Sequence, residues 1–142
     1  MSVLIAIDQG TTSTRTAAFD SDLNIVHSEQ KEYLLKYPND GWVEIEPDEL
    51  MRSVYATLDP VLDACSDILG VGITNQRETT LVWDADSGQP IYNAIVWQDR
   101  RTAELCMQLK KDGYEEAIKK ATGLLLDPYF SSTKISWILN NI

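Results

Sequence analysis

Asp8, Gly10, Thr11, Thr12 and Ser13 bring an acid, a small turn residue and three hydroxyls together within LIAIDQGTTSTR, the stretch from Leu4 to Arg15. An apolar strand that ends in one carboxylate and a Gly/Thr/Ser turn can offer backbone N–H groups and hydroxyls to a phosphate. The acid suits magnesium, a hard ion that keeps most of its waters and takes few protein oxygens. The same residues could equally close a polar hairpin that binds nothing. There is no G-x-x-x-x-G-K-[ST] loop, and Thr14–Phe19 is rich in strand formers, so the turn leads into a second strand and not a helix. A second polar strand end follows later, where Ile68–Thr74 runs into Asn75-Gln76-Arg77-Glu78-Thr79-Thr80.

The elements around these ends can be read in order. Val3–Ile7, Ser13–Asp20 and Ile25–Tyr33 read as three strands joined by tight turns, an antiparallel meander. Pro47 suits a first helical position, with Asp48 and Glu49 at the positive helix end. Leu50, Val54, Leu58, Val61 and Leu62 form an apolar stripe, and Pro60 is expected to kink or divide that helix. Ile68–Thr74 reads as a buried strand. Leu81–Asp84 and Ile91–Trp97 read as extended stretches. Asp99 is expected to cap a helix from about Arg100 to Lys111, with Gly113 ending it. A short helix from about Tyr114 to Ala121 follows. Ser131 or Ser132 would cap a last helix with Ile135, Ile138, Leu139 and Ile142 on one face. The fold class is therefore α/β: a mixed sheet beginning with a meander, with helices on its faces.

At 142 residues the chain is long enough for a real core. A net charge of −10, from 22 acids against 12 Lys and Arg, argues against nucleic acid or an anionic membrane as a main partner. No apolar run approaches the roughly 20 residues of a membrane span. No basic segment precedes the first strand, so no signal peptide is expected, and a cytoplasmic setting is. Cys65 and Cys106 read as buried free thiols of a reducing compartment. His27 reads as a solvent-facing strand residue.

Four segments resemble one family: DQGTTSTR from Asp8, GITNQRETT from Gly72, IYNAIVWQDRR from Ile91 and DPYFSSTKISWIL from Asp127, with GWVEIEP from Gly41 in support. Together they resemble the N-terminal part of the FGGY carbohydrate kinases, which have an actin-like, ribonuclease-H-like ATPase fold. NQRETT with WQDRR is narrower, and is similar to the branch that phosphorylates glycerol. Ile45-Glu46 departs from that branch, where His-Asp is more usual. Family members are several times longer, with two lobes. The resemblance therefore implies that residues 1–142 are the N-terminal part of the first lobe. The second lobe, much of the adenosine site and the general-base aspartate would lie outside these residues, leaving this stretch inactive alone.

The resemblance also implies roles. Asp8 would hold magnesium through water. Gly10, Thr11, Thr12, Ser13 and Arg15 would contact the phosphates of ATP or ADP. Arg77 and Glu78 would bind glycerol hydroxyls, Trp97 would lie against its carbon side, and Tyr129 would offer its hydroxyl. Full-length relatives of this kind imply a homo-oligomer. Read without the resemblance, Arg15 is a surface strand residue paired with an acid, and Arg77 and Glu78 are an exposed ion pair worth about 0–1 kcal/mol. Trp97 and Tyr129 are packing residues. No residue here reads as a general base.

Overall fold

The computed structural model describes residues 1–142. In chain order its elements are β1 (Ser2–Gln9), β2 (Ser13–Phe19), β3 (Ile25–Glu32), β4 (Glu44–Ile45), α1 (Pro47–Ala64), β5 (Asp67–Thr74), β6 (Ala94–Ile95), α2 (Ala103–Lys111), α3 (Glu115–Thr122) and α4 (Ser131–Asn141). They form two compact units. One comprises Met1–Leu35 with Glu46–Gln76, the other Lys36–Ile45 with Arg77–Ile142.

The first unit is a four-stranded sheet in the order β3-β2-β1-β5 with α1 against it. The expected meander is present, and β5 joins β1 in parallel. Along β1, Val3, Ile5 and Ile7 are buried while Leu4, Ala6 and Asp8 face out, the two-residue period of a half-covered strand. Val3, Ile5, Ile7, Ala18 and Val61 form the core cluster, with Val54, Leu58 and Cys65 packed on it.

The buried face of α1 differs from the expected stripe: it is Ser53, Thr57 and Val61, with Leu50, Val54 and Leu58 half-buried and Leu62 at the rim. The cause is a pair of hydroxyl contacts. Thr14 and Ser53 share a hydrogen bond of 2.6 Å, and Thr16 and Thr57 one of 2.8 Å. Ser53 also donates to the Leu50 carbonyl, and Thr57 to its own helix turn, so each helix hydroxyl is satisfied twice. Pro60 does not divide α1, which runs 18 residues without interruption. Pro60 and Ala56 are exposed, so water can take up the carbonyl that the missing N–H would have bonded.

β5 is not the buried strand its composition suggests. It is a sheet edge, and α1 packs over β2 and β3 instead, so Leu69, Val71 and Ile73 are exposed. Cys65 is only half-buried; Cys106 is buried, and both are free thiols.

The second unit has little regular strand. β4 pairs with β6, and single bridges join Lys36 to Glu44, Thr80 to Ile95 and Trp83 to Pro90, in place of the longer stretches expected over Leu81–Asp84 and Ile91–Trp97. Its centre is Arg101. The guanidinium carbon lies 3.9 Å from the Trp42 ring centre and 4.5 Å from that of Trp137. Nη2 donates to Glu44 and to Asp99, each at 2.8 Å. Glu44 also accepts from Tyr92 and Asn93. Burial would push the Glu44 carboxyl up, but the hydrogen bonds from Asn93, Arg101 and Tyr92 together hold it below the ordinary range.

Asp99 serves this network and does not cap the helix. It accepts from the Val43 N–H at 2.6 Å and from the Arg101 backbone and side chain, and α2 starts only at Ala103. Gly113 ends α2 with a left-handed φ of 85°, as expected. The buried face of α4 is Thr133, Lys134 and Ile138, leaving Ile135, Leu139 and Ile142 exposed. The stripe is rotated from the expected one because Trp137 and Lys134 are drawn inward by Arg101 and by the loop around Glu78.

Candidate functional site

In the first unit, β1 brings Asp8 to its C-terminal end on the face that α1 does not cover, directly across from Arg15. Both are exposed. Arg15 has no acid partner; its Nε donates to Ser28 at 3.0 Å. The loop from Gly10 to Thr12 closes when the Gly10 N–H donates to the Ser13 carbonyl at 3.0 Å. A Cβ at Gly10 would stand 3.1 Å from that oxygen, so the narrow turn favours glycine there. The Gly10 N–H is thus used by the hairpin itself. The Ser13 hydroxyl accepts from Gln30 at 3.1 Å.

A polar brace behind this turn was not foreseen. The Tyr33 hydroxyl donates to the Gly10 carbonyl, and the Tyr33 N–H to the Thr12 carbonyl at 3.1 Å. Gln9 and Gln76 each donate to the Tyr33 oxygen, and Gln76 also donates to Gln9 at 3.1 Å. Burial raises the Tyr33 pKa, so the phenol stays a donor at neutral pH. The sequence signal was faint: a tyrosine at a strand end and two glutamines 67 residues apart.

Magnesium can be tested against these residues. No group of three or more His, Cys, Asp or Glu side chains is placed to hold a metal. Asp8 alone cannot cage an ion, but a single carboxylate suits one that keeps its waters and shares phosphate oxygens.

In the second unit Glu78, Trp97 and Tyr129 are brought together, while Arg77 stands exposed beside Glu78. Glu78 has a φ of 66°, a left-handed conformation uncommon for a residue with a side chain. Hydrogen bonds to its carboxylate and to its carbonyl, the latter including one from the Thr80 hydroxyl at 3.3 Å, hold it there. One carboxylate oxygen accepts from the Ser131 N–H at 3.0 Å and its hydroxyl at 2.6 Å, at the positive start of α4. The Glu78 carbonyl accepts from Lys134 Nζ at 3.0 Å. Glu78 is thus neither a member of an exposed ion pair with Arg77 nor a free side chain. It also takes the capping role expected of Ser131 or Ser132, since neither serine caps α4 through its own side chain. The Trp97 and Tyr129 rings meet edge-on with centres 5.8 Å apart, and Phe130 meets Tyr129 edge-on at 5.1 Å.

Lys134 was also missed. It is fully buried, and its Nζ donates to both the Glu78 and Tyr129 carbonyls. The available signal was its position three and four residues before Trp137 and Ile138, which places a lysine on the inward face of α4.

A family model described as the N-terminal domain of the FGGY family of carbohydrate kinases matches residues 3–142. The chain belongs to the FGGY family of carbohydrate kinases. Among curated FGGY relatives, glycerol kinases of Alteromonas mediterranea and of Klebsiella pneumoniae are each 56% identical over 98% of this chain. The chain spans 29% and 28% of their respective lengths. Among solved structures, a Plasmodium falciparum glycerol kinase with ADP matches 99% of the chain at a TM-score of 0.91 and 39% identity, covering 29% of that protein. A Lactobacillus acidophilus gluconate kinase matches with the same TM-score at 23% identity, which speaks to fold alone. The α/β arrangement is that of the FGGY sugar kinases, the actin-like ATPase fold. No helix is long and apolar enough to cross a membrane.

Proposed function

We propose that this chain is the part of a glycerol kinase that grips the donor phosphates through its first unit and glycerol through its second, transferring the γ-phosphoryl group of ATP to give sn-glycerol 3-phosphate. Phosphoryl transfer needs positioning and charge neutralisation more than covalent chemistry. Thr11, Thr12 and Ser13 offer backbone and hydroxyl donors to the phosphates, and Gly10 keeps their turn narrow. Arg15 adds a guanidinium fork. Asp8 holds magnesium through its waters, and the ion neutralises phosphate charge when bound. Arg77 donates to glycerol hydroxyls and Glu78 accepts from them; Trp97 covers the carbon side and the Tyr129 hydroxyl adds a partner. A site so built discriminates against analogues lacking a hydroxyl, whose absence leaves its polar groups unpaired.

The observation that carries the reading is the left-handed Glu78, held by its carboxylate and its carbonyl at once. Strained backbone that persists under such constraint clusters at functional sites. None of these residues stands as a general base, so residues 1–142 form an N-terminal portion of the first catalytic lobe and are inactive alone. The free thiols and the absence of a membrane-spanning helix support a cytoplasmic enzyme, and a homo-oligomer is the assembly proposed.

A coupled ADP-release assay tests this. The full-length protein should turn over glycerol in preference to erythritol, dihydroxyacetone and xylulose, and Glu78→Ala should cut kcat/KM for glycerol by at least about tenfold. Preference for another polyol would overturn the substrate, and robust turnover by residues 1–142 alone would overturn the division of labour.

A further inference from the structure

We propose that Lys134 is a positioning residue for the acceptor alcohol: its ammonium ties the Glu78 and Tyr129 carbonyls together and thereby sets where the Glu78 carboxylate and the Tyr129 phenol stand. This rests on the glycerol-binding reading above. The geometry is specific. Lys134 has no exposed surface, yet it forms no salt bridge. Nζ instead spends its donors on two backbone carbonyls, at 3.0 Å from Glu78 and 2.5 Å from Tyr129. Those carbonyls belong to two loops 51 residues apart in the chain, and each carries one proposed glycerol ligand. The Tyr129 ring centre lies 6.0 Å from Nζ, so the same ammonium also faces that ring.

Burying an ammonium without a carboxylate partner is unfavourable, and a purely structural link between two loops would not require one. A neutral side chain could fill the space. What the charge adds is a strong, short bond to each carbonyl. At Glu78 that bond opposes the tendency of a left-handed residue to relax.

The charge is also titratable near neutrality. Burial pulls the Lys134 pKa down to about 8; Asp99, Glu78, Asp127 and Cys106 face it and partly oppose that shift. Asp99 is tied to Arg101 and Asp127 to Arg100, which limits their help. As pH rises through about 8, Lys134 loses its charge and the clamp weakens. The effect on folding has the opposite sign. A lysine whose pKa is lower folded than unfolded binds fewer protons when folded, so its contribution to stability grows as pH rises. Looser glycerol binding together with undiminished stability is therefore the signature of positioning, and a merely structural lysine would not give it.

The test is steady-state kinetics of the full-length protein with glycerol and ATP varied separately, from about pH 6.5 to 9.5. The glycerol KM of the wild type should climb several-fold above pH 8 while the ATP KM does not follow, and a Cys106→Ser background should keep that profile. Lys134→Met should raise the glycerol KM by about tenfold or more, lower kcat by less, and flatten the pH dependence; Lys134→Arg should restore part of the affinity and move the alkaline limb beyond the range. A wild-type glycerol KM flat across the range overturns the proposal even if Lys134→Met fails to fold. So does a folded Lys134→Met enzyme with an unchanged glycerol KM. Absence of glycerol turnover by the wild type at any pH would instead overturn the function on which the proposal rests.

Discussion

The two units bury different sets of polar groups, the second adding charges to hydroxyl pairs such as Thr102 with Thr133. In the first, every buried polar residue is a hydroxyl: Thr14, Thr16, Ser53 and Thr57, paired between β2 and α1. In the second, Glu44, Asp99 and Lys134 are buried, and the Arg101 side chain has no exposed surface. A hydroxyl is inexpensive to bury and forgiving to lose, whereas a buried charge is severe when its partner goes. The first unit can therefore rest on a regular sheet. The second trades regular strands for a charged centre that holds irregular loops in fixed places, and those loops carry the residues proposed to bind the acceptor.

Arg101→Met should break this contrast most visibly. It leaves Glu44 and Asp99 buried without their cation, at a cost of about 3–5 kcal/mol, read as a lower urea midpoint and a loss of near-ultraviolet dichroism from Trp42 and Trp137. Thr16→Val should cost only about 1 kcal/mol, because Thr57 keeps its bonds to the Ser53 and Val54 carbonyls. The double variant Thr16→Val with Thr57→Val should regain most of that in a double-mutant cycle. Pro60→Ala should have the smallest effect, a gain of up to about 1 kcal/mol from restoring one helix bond near the end of α1. A large loss there would mean that the proline shapes the helix.

The same contrast sets how much could be read from the residues alone. An apolar run located β1, strand-forming residues β2 and the turn before Ile25 β3, and Pro47 and Gly113 marked helix ends, because these are local signals. The turn from Asp8 to Ser13 was legible for the same reason: its residues are contiguous. The burial of β5 was misread because Ile, Leu and Val in a short run look alike whether a helix covers them or not. Asp99 reads as a cap only while Val43 and Arg101 are out of view. The Glu78–Lys134 link joins residues 56 apart and depends on a φ that composition does not announce. The family motifs pointed to Glu78, Trp97 and Tyr129 as proposed glycerol ligands without revealing what holds them in place.

The edge at β5, bare among residues 1–142, bears on how that stretch would behave by itself at high concentration. Asp67-Ile68-Leu69-Gly70-Val71-Gly72-Ile73-Thr74 carries one charge and no lysine or proline, so little but a register shift opposite Val3 and Leu4 deters another chain from adding a strand there. For residues 1–142 by themselves, the repulsion that opposes such pairing is their net charge of −10. That repulsion reaches only about 8 Å at physiological ionic strength and about 3 Å in molar salt. The colloidal stability of residues 1–142 alone is thus expected to fall as ionic strength rises, read as the time a concentrated solution stays clear.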